Sequence, residues 1–190
     1  MNPLDKLTNF IKKYQNVKPL EIKNQKFFDE LIFDHRLSAA IFDEVTISNF
    51  KFKETDFFSS HFRRCLFKNC DFQNIMWRKC EFLECTFETC SIRDCEISKV
   101  EFDDHIFKNC EFKHVDFGWS YFADCQFLEV ILDGINFEGT IMRDLKIKST
   151  ISLNLHFNEK LPMNFWKCGQ LITIKDSFSF EELLRDSQLE

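Results

Sequence analysis

Glycine and proline are scarce in this chain, 4 and 3 among 190 residues. So few breakers argue against a disordered chain. No GxSxG, no HExxH and no glycine-rich phosphate loop occur, and no long insertion could carry a catalytic site, so the sequence offers an enzyme no foothold. No apolar run approaches the length of a membrane span, and the start, MNPLDKLTNFIKKYQNV, is too polar for a secretory signal. The expectation is a cytoplasmic protein with no membrane contact. In that reducing compartment the nine cysteines are thiols and not a disulfide framework. A net charge of −6 also disfavours direct nucleic-acid binding through phosphate neutralisation.

What the chain has in excess is phenylalanine, 25 residues of it. Residues 80–90, CEFLECTFETC, place a cysteine at every fifth position and a phenylalanine two residues after each of the first two. Neither a helix nor a strand has a five-residue period. Stepping by five from Phe82 in both directions gives 26 consecutive apolar residues between positions 22 and 147. Two residues before each centre runs a second series, from Ala40 onward, that is small or apolar apart from Phe50 and His105. The three remaining positions of each five are mostly polar. A fixed short period of this kind marks a solenoid. Five residues with two facing inward make one side, and four sides close a coil of twenty, with coils stacked about 4.8 Å apart in parallel ladders.

The repeats CEFLE, CTFET, CDFQN and VDFGW resemble the pentapeptide-repeat family, which sets a small residue, a polar one, a Phe or Leu centre and two variable positions in each five. The resemblance covers about residues 37–149 and implies an all-β solenoid, a right-handed quadrilateral β-helix with short helical ends. On that fold the core is a set of stacks. Face one holds Phe62, Phe82, Phe102 and Phe122, and face two Phe67, Phe87, Phe107 and Phe127. Face three holds Phe72 and Phe112, and face four Trp77 and Phe117.

Residues 1–36 read as an N-terminal helix and a transition segment, because the second inward series turns polar there (Gln25, Glu30, His35). Asn2 and Pro3 suit an N-cap and first helical position, with Leu4, Leu7, Ile11 and Tyr14 as one stripe. Residues 150–190 read as a C-terminal cap. There Ser179 and Glu182 form a capping box, Phe178 and Leu183 its staple, and a short helix runs from about Phe180.

Eight cysteines occupy the second inward position, and only Cys168 falls outside it. Cys65, Cys85, His105 and Cys125 stack in a line and do not converge as zinc ligands would, so the reading is packing, with no metal and no cofactor. His105 is expected to be a neutral core histidine satisfied by a neighbouring hydrogen bond. The outer surface carries more information. Face one and its corner hold nine acids (Asp43, Glu44, Glu81, Glu84, Glu101, Asp103, Asp104, Asp124, Asp144) against three bases (Arg63, Arg64, Arg143). Two function classes follow. Family members that protect DNA gyrase and topoisomerase IV from quinolones or toxins imply a non-enzymatic DNA mimic. Glu81, Glu84, Glu101, Asp103, Asp104, Asp124 and Asp144 would then stand in for phosphates. The alternative is a structural or adaptor solenoid that binds an unrelated protein through a face or terminal helix, or a homodimer formed through a terminal segment.

Overall fold

The computed structural model describes residues 6–14 and 19–187. The chain winds into a parallel β-solenoid of about seven turns with a helix at each end. Strands of three residues, each centred on an inward side chain, stack into ladders along three sides. The fourth side is a row of single parallel bridges, from Arg36↔Asp56 through Met76 and Glu96 to Asn136↔His156.

The register puts like on like. Phe42, Phe62, Phe82, Phe102, Phe122 and Met142 pair in one column at intervals of twenty. Rings within it stack nearly parallel, with centroids 4.5 Å apart for Phe62–Phe82 and 4.8 Å for Phe102–Phe122. Rings on adjoining sides meet edge to face, as Phe62 and Phe67 do at 5.8 Å and 63°. Both are favoured aromatic geometries, so one residue type satisfies the contacts along the rod and around it.

A side of five residues must end in a corner. The residue two places after each centre takes that corner with φ near +50° to +60°, from Asn24 to Asn154, with glycine at 134 and 139. That conformation costs an ordinary L-residue about 1–2 kcal/mol and is easiest for Gly, Asn and Asp. Asn or Asp duly recurs at 24, 29, 34, 49, 69, 74, 94, 104, 109, 124, 144 and 154. The second inward position has its own chemistry. Its thiols, and its hydroxyls other than that of Thr55, donate to the carbonyl of a centre residue 23 places earlier. Cys80 reaches Phe57 O at 2.9 Å, Ser60 reaches Leu37 O at 2.7 Å and Thr140 reaches Phe117 O at 2.9 Å. Each coil is thereby bonded to the one before it by side chains as well as by the ladder.

The solenoid is longer than the repeat signature implies. Residues 20–36 are not a transition segment, because strands Glu21–Lys23, Lys26–Phe28 and Leu31–Phe33 form a first coil. Glu30 occupies the second inward position because it caps the N-terminal helix, Leu7–Tyr14. Its carboxylate accepts from Leu7 N at 2.6 Å, Thr8 N at 3.2 Å and Thr8 Oγ1 at 2.8 Å. Leu7 and Ile11 of that helix are buried on the core. Asn2, Pro3, Leu4 and the Tyr14 side chain lie outside the described residues.

At the other end the ladder continues past 149 through Ile151–Leu153 and His156. A hairpin follows, strands Met163–Lys167 and Gln170–Ile174, and it extends the face-one sheet to nine strands. Phe165 pairs with Met142 and continues its column, but at an offset of 23 and not 20. The C-terminal helix spans Ser177–Ser187, three residues earlier than the capping-box reading placed it. Its cap is Asp176, whose carboxylate accepts from Ser179 N and Ser179 Oγ, both at 2.8 Å. Those bonds hold the Asp176 carboxyl below its ordinary pKa. Phe178 is 63% exposed and so is no staple, while Phe180, Leu183 and Leu184 close the end of the core.

Phe102→Ala removes a ring stacked on two others, and the ladder holds the neighbouring coils apart, so the void stays open. A loss of about 3–5 kcal/mol is expected in denaturant titrations. Phe28, half-exposed on a terminal strand, should cost no more than about 1 kcal/mol when truncated. Equal losses would contradict the column assignment.

Candidate partner-binding face

Outward residues flank each centre, so their spacing is set by the ladder. Register places Glu81 beside Glu101 and Leu83 beside Asp103 on adjacent rungs of face one. The corner after that face carries Glu84, Asp104, Asp124 and Asp144, all in the left-handed conformation. All seven carboxylates singled out from the sequence are exposed, and all lie along this face or its edge.

Their environments differ. Glu81 faces His61 Nδ1 at 2.9 Å. Arg143 holds Asp124 at 3.0 Å and Asp144 at 3.8 Å, and lies over the Tyr121 ring at 5.9 Å. Towards the N-terminus Arg64 bridges Asp43 at 2.7 Å and Glu44 at 3.1 Å. Among the described residues, no ion pair reaches Glu84, Glu101, Asp103 or Asp104. These four, on two successive rungs, are the uncompensated centre of the face. Neighbouring like charges on a ladder repel one another, so the cluster works against sheet stability.

An apolar patch that the repeat pattern does not reveal lies further along the same face, two rungs or more from this cluster. The hairpin brings Trp166 beside Arg143 and Leu171 beside Trp166, while Ile141 lies on the same outer surface. Ile141, Trp166 and Leu171 are exposed. The only sequence signal for this was the Cys168-Gly169 turn between two short apolar runs.

The buried thiols form rows and not a convergent site. Among the described residues, no three His, Cys, Asp or Glu side chains are grouped to hold a metal ion. Burial pushes Cys80, Cys95 and Cys125 up to about 12. In the row Cys65–Cys85, burial raises the Cys85 thiol, and the hydrogen bond from it lowers Cys65. His105 departs from the expectation made for it, because neither ring nitrogen has a hydrogen-bond partner. Among the described residues, no helix is long and apolar enough to cross a membrane.

Five-residue sides, four to a coil, with paired inward positions and a left-handed corner after each, define the architecture. The chain is a pentapeptide-repeat solenoid. No family model matches it, and no curated protein does. Among solved structures, a trypsin-treated form of QnrB1, a plasmid-mediated fluoroquinolone resistance protein, is 14% identical over 87% of this chain and 95% of its own, with a TM-score of 0.36. Full-length QnrB1 is 16% identical over 85% and 98%, with a TM-score of 0.29. HetL, a pentapeptide repeat protein involved in heterocyst differentiation regulation in Nostoc sp. strain PCC 7120, is 8% identical over 80% and 92%, with a TM-score of 0.32. These likenesses are of fold alone.

The eight repeat thiols are buried and Cys168 is exposed. An alkylating reagent at neutral pH should therefore modify Cys168 within minutes and the other eight only after unfolding. Rapid native labelling of several repeat cysteines would contradict the packing of the rows.

Proposed function

We propose that this solenoid is a non-enzymatic protein-interaction scaffold whose acidic face occupies a surface that another protein uses for DNA. The observation that carries the reading is the uncompensated set Glu84, Glu101, Asp103 and Asp104. These four carboxylates lie on two successive rungs. That is about one charge per 2.4 Å of rod at a rung spacing of about 4.8 Å. Duplex DNA carries one per about 1.7 Å. The rod thus offers a basic groove a comparable linear charge density without a nucleic acid. Such a field speeds encounter and makes binding salt-sensitive. DNA gyrase or topoisomerase IV is the partner that the family resemblance implies.

A charge-reversal test would confuse two effects, because Glu84 and Asp104 hold left-handed corners as well as charge. Neutral, shape-conserving replacement separates them. The variant Glu84→Gln, Glu101→Gln, Asp103→Asn, Asp104→Asn should fold normally and lose at least tenfold in affinity for gyrase, measured by surface-immobilised binding. It should also lose protection of supercoiling against a fluoroquinolone. A control with Glu111, Glu129, Glu138 and Glu159 changed to Gln alters net charge equally on other faces and should bind within twofold of the wild type. Wild-type binding should weaken between about 50 and 300 mM salt as screening shortens the field. Undiminished binding by the first variant ends the mimicry reading.

One observation favours an adaptor or homodimer reading beside it. Strand Gln170–Ile174 ends its sheet, and it exposes Leu171 and Ile172. A free apolar edge is a template for a further strand. If a second copy supplies that strand, light scattering should give a dimer at micromolar concentration, and Leu171→Lys with Ile172→Lys should give a monomer. A wild-type monomer at that concentration would remove the homodimer and leave the edge to an unrelated protein.

A further inference from the structure

His105 is where the rule of the second inward position fails. Its neighbours in the column, Cys85 and Cys125, donate to carbonyls, Cys85 to Phe62 O and Leu83 O, and Cys125 to Phe102 O and Ala123 O. His105 is fully buried, and both its ring nitrogens lack a partner. Four phenyl rings surround it, with centroids at 4.4 Å (Phe107), 5.2 Å (Phe102), 5.3 Å (Phe87) and 5.9 Å (Phe82). The only titratable groups beside it in its own column are the two thiols. The charged residues on the strands and corners packed against it (Glu81, Glu84, Glu88, Glu101, Asp103, Asp104, Lys108, Asp124) lie at outward positions, so no carboxylate faces the ring.

We propose that His105 is a proton-operated break in the rod: when the imidazole takes up a proton, the coil that carries it, residues 101–120, opens and uncouples the coils on either side. An imidazolium in this cage has no acceptor for either N–H and no counter-charge, and only the ring quadrupoles offset it. The protonated side chain is therefore stable only where water reaches it. Each coil of a solenoid touches only its neighbours, so opening one in the middle separates two halves, each capped at its outer end alone. The sign follows from burial, which lowers the His105 pKa from 6.5 to about 3. Between those values the open state binds one proton more than the closed one. Stability is complete above pH 6.5 and falls as pH drops towards 3, with the opening constant rising tenfold per pH unit.

Hydrogen exchange of the full chain between pH 7.5 and 4.5, corrected for intrinsic exchange chemistry, tests this. In the wild type, amides of residues 101–120 should show the steepest rise in opening, approaching tenfold per unit below pH 6.5. His105→Leu puts an apolar side chain where Val45 and Leu145 stand in the same column, and should remove that slope. His105→Gln keeps an unsatisfied polar group but takes up no proton, so it should open more readily at every pH without the slope. His35, His61, His114, His156 and the carboxylates are common to all three proteins, and their contributions cancel in the comparison. If either variant retains the wild-type slope, the proposal fails. It also fails if acid opens the wild-type rod first at its ends, a result that needs no variant to fold.

Discussion

Everything in this molecule depends on turning a corner every fifth residue. A backbone that repeats a left-handed residue at that interval can only coil, and four such corners bring residue i above residue i−20. The inward centres are then forced into columns, and a column of identical rungs favours a side chain that stacks on itself. Phenylalanine does so, and it also meets its neighbours around the square edge-on. The abundance of one amino acid is thus a consequence of the corner. Glycine is scarce even at these corners, where asparagine and aspartate recur far more often than glycine does.

The central coils were legible in the sequence because their periodicity is a direct image of the geometry: Phe62, Phe82, Phe102 and Phe122 differ by the length of one coil. What was not legible lay where another element borrowed a position. Glu30 breaks the small-residue series because a helix more than twenty residues earlier takes its carboxylate. Phe165 belongs to the column of Met142, but three extra residues of chain intervene, and a fixed step of five walks past it. At the C-terminus, Ser179 and Glu182 have the spacing of a capping box, yet Asp176 reaches the helix first. In each case a local pattern lost to a contact that only the folded end of the rod supplies.

The acidic face raises a related question of what a residue is there to do. Asp104, Asp124 and Asp144 satisfy the corner through their backbone preference, and a corner alone accounts for them. Glu101 and Asp103 flank a centre, where no such preference operates and where register sets them beside other acids or apolar side chains. Nothing in the fold requires a carboxylate at these two places. They are therefore more informative about a partner than the longer column beside them, although the column is what a reader of the sequence sees first.

The side-chain bonds that coils make to centre carbonyls all run in one direction. Cys80, Ser60 and Thr140 each reach back 23 residues to complete a coil already made, and Glu30 likewise reaches back to the helix before it. No coil waits for a distant part of the chain. A ribosome delivering this protein residue by residue would release each turn with its template already in place, and the growing end would be the only unfinished surface. The rod is thus suited to assembly in the order of its synthesis, with the hairpin and final helix arriving last to close it.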